Sequence, residues 1–331
     1  MNKNEINLTA TEMSYLWSAY QSQSLNRCLL KYFDEIVEDE EIKKVNTQSL
    51  QHCVSYLEEI RTIFDAENFP IPIGFSVEED VHLNATRLYT DPFILYFQWF
   101  FGKGNLTFGS VALNTLARED AFTFFERFIR EGVQTLRSSR ELLLNKGLWI
   151  RSPYIPVPEN VDTVKRESFF DGWIGEQRPL VGVEIANLFY NILTNSIGVA
   201  LMNSFIQTTK NKELKAYLLR GKEIALKHID VLSTSLQKEE LPVPSAWNAG
   251  ITDSNEAPFS DKLILNLVCL LNAQGVSNYG VAISTTMRRD LGLNFNRLSE
   301  EVLKYAEDGT EILIKYEWLE SPPQAPRYNG K

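Results

Sequence analysis

The chain is written twice, and that duplication constrains its fold more than any other feature. Pro70-Ile71-Pro72-Ile73-Gly74-Phe75 returns as Pro242-Val243-Pro244-Ser245-Ala246-Trp247, an offset of 242 − 70 = 172. Trp149 and Trp318 each precede a Ser-Pro pair, an offset of 318 − 149 = 169. Between these marks Arg118-Glu119 answers Arg289-Asp290, and Asp91 before one apolar run answers Asp261 before another. A repeat of this length fixes the domain plan before any residue-level reading begins. It also supplies an internal comparison, because a residue present in both copies has survived their divergence.

The 331 residues divide into two copies of ordinary domain size, and 44% hydrophobic residues suffice for two cores. The resulting boundaries are a first bundle at 1–150, a linker at 151–178, a second bundle at 179–320 and a tail at 321–331. A formal charge of −10 argues against a nucleic-acid partner, since phosphate binding needs clustered Lys and Arg. The opening Met1-Asn2-Lys3-Asn4-Glu5 lacks the apolar stretch of a signal peptide, which predicts a cytoplasmic protein. Cys28, Cys53 and Cys269 do not recur between copies, so they read as buried thiols rather than a disulfide framework.

Each copy reads as four helices. In the first helix Met13, Leu16, Trp17, Tyr20, Ser24, Cys28 and Tyr32 share one face, and Ile185, Leu188, Phe189, Ile192, Ser196 and Val199 repeat the pattern. The second helix turns Leu50, Cys53, Val54, Leu57, Ile60 and Phe64 inward, answered by Leu214, Leu218, Ala225, His228 and Leu232. A stretch of more than twenty residues without periodicity follows in each copy (67–90 and 239–260). Two tightly joined helices come next, at 91–117 with 119–147 and at 261–289 with 291–317. Short, long, short is the loop pattern of a bundle with one long crossover, so the fold class is all-α: a tandem repeat of two ferritin-like four-helix bundles, each crossing over between its second and third helices. The apolar runs Phe93–Phe101 and Leu263–Ile283 are respectively too short and too interrupted by Asn, Gln and Ser for a membrane span. Gly109 and Gly280 read as matching close-approach positions. The linker aromatics Phe169, Phe170, Trp173 and Ile174 are expected to pack between the bundles.

Acids recur at Glu12/Glu184, Glu41/Glu213, Glu58/Asp230, Glu119/Asp290 and, within one residue, Glu141/Glu311. Bundles of this topology hold two metals with a Glu from each of two helices and Glu-x-x-His from the other two. Only His52, His82 and His228 are present, and the one Glu-x-x-His, Glu79 to His82, lies in a crossover. A complete di-iron set is therefore absent, the cofactor is left unknown, and a reduced metal site would rest on Glu184 and His228. The plainer reading of His228 is a core histidine bonded to a carbonyl or carboxylate. Its counterpart is Tyr56, a poor metal ligand. Thr9-Ala10-Thr11-Glu12 is a capping box, whereas Val181 at the equivalent cap cannot accept a hydrogen bond although Glu184 persists. The Arg-acid pairs between the last two helices of each copy read as tethers of that turn. Nothing in the chain marks an enzyme.

The elements Pro70–Phe75, Arg178-Pro179-Leu180, Pro258 to Leu263, Arg288-Arg289-Asp290 and Lys304 to Gly309 resemble a two-repeat family of unknown function from spore-forming bacteria, distantly similar to the spore coat protein F group. The resemblance implies a ferritin-like fold, no assigned activity, and association with the spore coat. It also implies histidine at positions held here by Asn187 and Tyr56, which weakens a metal site. Three partners follow as expectations: coat proteins or further copies of the chain for a structural protein, a metal ion for a vestigial oxidase, and an apolar small molecule among Tyr96, Trp99 and Phe100.

Overall fold

The computed structural model describes residues 6–171, 177–244 and 250–326. Among them the regular structure is helical, and four long helices recur in the same order in each copy, so the chain is a tandem array of helical bundles. It separates into two compact units whose limits differ from the copies themselves. The first holds Met1–Trp149, Thr252–Leu263 and Tyr316–Lys331, and the second holds Ile150–Ile251 and Ile264–Lys315.

The first unit is built on α1 (Ala10–Ile36), α2 (Glu40–Ala66), the short α3 (Val77–Asp80), α4 (Asp91–Leu113) and α5 (Glu119–Asn145). α1 starts where expected, with Thr9 extended and both halves of the capping box made with Glu12. Asp39 caps α2 by accepting from the amides of Glu41 and Ile42, and a proline in the first turn starts α4. The core gathers Leu16, Tyr56, Ile60, Phe124, Phe125 and Phe128. Phe124 and Phe125 meet edge to face at 4.9 Å, the arrangement that ring quadrupoles favour. Val54 departs from its expected inward place and is 39% exposed, because Cys53, Leu57, Ile60 and Phe64 complete the buried stripe and position 54 lies a hundred degrees off it.

The last described segment returns to this unit, where the Glu320 carboxylate accepts from the amides of Ile73 at 3.0 Å and Gly74 at 3.1 Å. The end of the second copy's crossover, from Thr252, also lies here, and Lys262 Nζ donates to Gly74 O at 3.0 Å.

The second unit carries α6 (Gly182–Thr208), α7 (Lys212–Gln237), most of α8 (Asp261–Thr285) and α9 (Arg289–Lys315). Leu188, Ile192, Leu232, Phe295 and Leu298 form its core. Tyr217 and Tyr305 stack at 4.2 Å between α7 and α9, and each hydroxyl donates to the other's carbonyl oxygen. α6 is long and apolar enough to cross a membrane by composition, but 61% of its apolar window is buried in the protein. That burial identifies a core helix.

The linker residues 151–166 carry no helix or strand, and nearly all are exposed. Phe169 is half-buried and lies under the Arg178 guanidinium at 4.1 Å, while Phe170 is 42% exposed. Trp173, Ile174, Ser245, Ala246 and Trp247 lie outside the described residues, as does the opening segment Met1 to Glu5.

Candidate functional site

The buried acids occupy equivalent clamps. In the first copy Glu12 sits in the first turn of α1 and is 1% exposed. Its Oε2 accepts from Thr9 N and Thr9 Oγ1, both at 2.8 Å, and its Oε1 accepts from Ala117 N at 3.1 Å and Arg118 N at 2.8 Å. The Arg118 side chain, 3% exposed, forks onto Asp120 at 2.9 and 2.8 Å and also reaches Glu67 and the Ile6 carbonyl. One Glu and one Arg thereby tie the start of α1, the end of α2 and the α4–α5 turn.

The second copy builds the same knot with one replacement. Glu184 Oε1 accepts from Met287 N at 3.2 Å and Arg288 N at 3.0 Å, as Glu12 does from Ala117 and Arg118. Val181 offers only its amide, at 3.1 Å, so half of the capping box is missing. Arg178 supplies what Thr9 supplied, bonding both carboxylate oxygens bidentately at 2.8 Å. Arg288 forks onto Asp290 at 3.0 and 2.7 Å and reaches Glu239 at 3.3 Å. Glu184 thus explains its persistence without a cap: it has five N–H donors and is fully buried.

This geometry corrects the register of the Arg-acid pair. Arg118 answers Arg288, and Asp120 answers Asp290, an offset of 288 − 118 = 170. Two adjacent arginines made the sequence match ambiguous by one residue, and only Arg288 reaches the buried place. Burial raises the pKa of both acids, but the donors outweigh it and hold both below the ordinary carboxylate value: Thr9, Arg118 and Ala117 for Glu12, and Arg178 with the Val181 and Arg288 amides for Glu184.

His228 lies on α7, fully buried, away from this knot in its bonding. Its Nδ1 is 2.8 Å from the Tyr279 hydroxyl and its Nε2 is 3.3 Å from Glu301 Oε2. Asn195 Nδ2 donates to the Tyr279 oxygen at 2.9 Å. A carboxylate can only accept, so Nε2 carries the proton, Nδ1 accepts from Tyr279, and Tyr279 accepts from Asn195. The chain of bonds closes with a neutral imidazole. Burial lowers the His228 pKa against the opposing pull of Glu301, and burial raises that of Tyr279.

The first copy builds this space differently. Tyr56 stands for His228, and Gly109 stands where Tyr279 would fall, 170 residues earlier. A Cβ at Gly109 would meet Ile129 Cγ1 at 2.8 Å and Phe128 Cδ1 at 3.0 Å, whereas one at Gly280 would meet open space. The close-approach role expected of both glycines therefore belongs to Gly109 alone. His52 is half-buried beside the Tyr56 ring, with its pKa lowered by burial. His82 lies in the crossover, where its amide donates to Pro258 O. Tyr96 and Phe100 are buried and Trp99 packs edge-on against Trp149.

Glu184 and His228 share no bonding partner, and every N and O atom of these two side chains already has one. They do not fit an open metal pair. Among the described residues no three of His, Cys, Asp and Glu group closely enough to hold a metal ion. Sequence reasoning missed Arg178, Tyr279, Asn195 and Glu301. The signal for Arg178 was the cap mismatch at Val181, which left the Glu184 carboxylate needing a donor. The other three carried no local signal.

No curated protein matches the chain. A crystal structure from Bacillus halodurans, of a protein provisionally described as a spore coat protein, aligns at 19% identity with a TM-score of 0.42, over 45% of this chain and 98% of that one. The family model for a protein of unknown function, DUF3231, matches residues 1–161 and again 168–329, so the chain belongs to the DUF3231 family as a tandem pair of its repeats.

Proposed function

We propose that this protein is a structural or interaction protein made of two ferritin-like bundles, cytoplasmic when made and associated with the spore coat. The observation that supports a structural role is the use made of its buried acids. In a catalytic bundle such carboxylates face open positions where oxygen or substrate binds. Here Glu12 and Glu184 are occupied by amide, hydroxyl and guanidinium donors from the same copy, and what is gained is the fixing of three helix ends. The coat association rests on the resemblance of the Pro70–Phe75, Pro258–Leu263 and Lys304–Gly309 elements to a two-repeat family from spore-forming bacteria that is itself distantly similar to the coat protein F group. A fluorescent fusion in a spore-forming host is expected to concentrate at the spore. Signal confined to growing cells, with none in spores, contradicts it.

Metal binding at Glu184 and His228 is the competing reading. Elemental analysis of protein purified without chelator separates the two, and a stoichiometric transition metal lost on replacing His228 favours the competitor.

A further inference from the structure

The first crossover, 67–90, and the last part of the second, from Thr252 to Ser260, meet within the first unit, and they meet symmetrically. His82 N–H donates to Pro258 O at 2.8 Å, and Thr252 N–H donates to Leu88 O at 3.0 Å. Adding the 170-residue offset to 82 and 88 gives 252 and 258, so each bond becomes the other when the copies are exchanged. Beside them Val81 and Phe259 form an antiparallel bridge. Near the centre of the pairing Thr86 and Glu256 occupy equivalent positions and bond to each other, Thr86 N and Oγ1 donating to Glu256 Oε2 at 2.7 and 2.8 Å.

A head-to-tail contact between repeats would pair each segment with a different surface of its neighbour. Bonds that interchange with the copies are the mark of an isologous, two-fold contact, the commonest interface of homodimers. Side chains reinforce it: Ser260 Oγ donates to Asp80 Oδ1 at 2.6 Å, and the Phe259 ring packs edge-on to Tyr32 at 5.3 Å.

We infer that the crossover pairing is a self-complementary interface between two copies of a single repeat, carried inside one chain by fusion, and that its partner is a second copy of the repeat.

The test uses the full chain with a protease recognition sequence inserted after Glu159, in the exposed connection at 151–166. After cleavage the two fragments are expected to co-elute at micromolar concentration, and cleaved molecules bearing different tags are expected to form mixed species on incubation. Fragments that separate, or tags that never mix, overturn the proposal. The same cleaved chain carrying Glu256→Ala and Thr252→Pro should release its fragments at least about tenfold more readily, the effect of removing the two bonds Glu256 accepts from Thr86 and the two Thr252 donates to Leu88 O and Arg87 O. Because Thr252→Pro can perturb folding, Glu256→Ala with Ser260→Ala is run beside it with helix content checked by circular dichroism. Unchanged fragment affinity in both variants also overturns the proposal.

Discussion

Glu184 and Glu12 hold the same place in the two copies, yet their partners give them different weight. Glu12 is answered by neutral donors, whereas Glu184 pairs with the Arg178 guanidinium, itself only 13% exposed. His228 makes a second residue-scale case. Its folded pKa lies below the ordinary 6.5, so below pH 6.5 the unfolded chain takes up a proton that the folded chain resists. The contribution of His228 is therefore complete above that value and is lost as pH falls toward its folded pKa. Thermal denaturation from pH 7.5 to 5.5 should show falling stability, and His228→Gln should flatten that slope; an equal slope in the variant refutes the neutral network. The sequence supported a core histidine bonded to a carbonyl or carboxylate but not which partners it has, because Tyr279 and Glu301 stand 51 and 73 residues from His228 and meet it only through packing. At Gly109 the structure leaves no room for a methyl group, and Gly109→Ala should cost about 1–3 kcal/mol through overpacking, measured by urea denaturation.

The helices were legible chiefly from their apolar period, and at α1 from the Thr9 capping box as well; Asp39 and Asn211 also cap α2 and α7 through their side chains. Helix ends recur as well. Asn68 and Glu240, 172 residues apart, follow α2 and α7 with φ of 53° and 55°, and the amides of Phe69 and Leu241 close onto Phe64 and Leu236. A left-handed glutamate is strained where glycine is not. Glu240→Gly is expected to stabilise the protein by about 0.5–1 kcal/mol, read as a rise in Tm, whereas a fall would show that the carboxylate contributes more than the backbone loses. What the elements hid was their register. The offset is 172 at the end of the second helix and 170 at the α4–α5 turn, so two residues drop out in the crossover, where no periodicity could locate them.

At the scale of the whole molecule, duplication predicted two bundles, and the family match and the helical structure agree. It did not predict that a compact unit would draw on both copies. That arrangement depends on loop-to-loop bonds between residues some 170 apart, and the sequence of a loop carries no pattern for such pairing. Of the polar residues kept in both copies, Glu12/Glu184, Arg118/Arg288, Asp120/Asp290 and Glu67/Glu239 build equivalent knots, one in each copy, that close a bundle end. Duplication preserved a means of holding helices together. The most direct measurement of that claim is the equilibrium unfolding of Glu184→Gln in urea. Removing one partner of a buried ion pair should cost about 3–5 kcal/mol with the slope against urea unchanged, and a variant as stable as the parent would contradict the structural assignment of the buried acids.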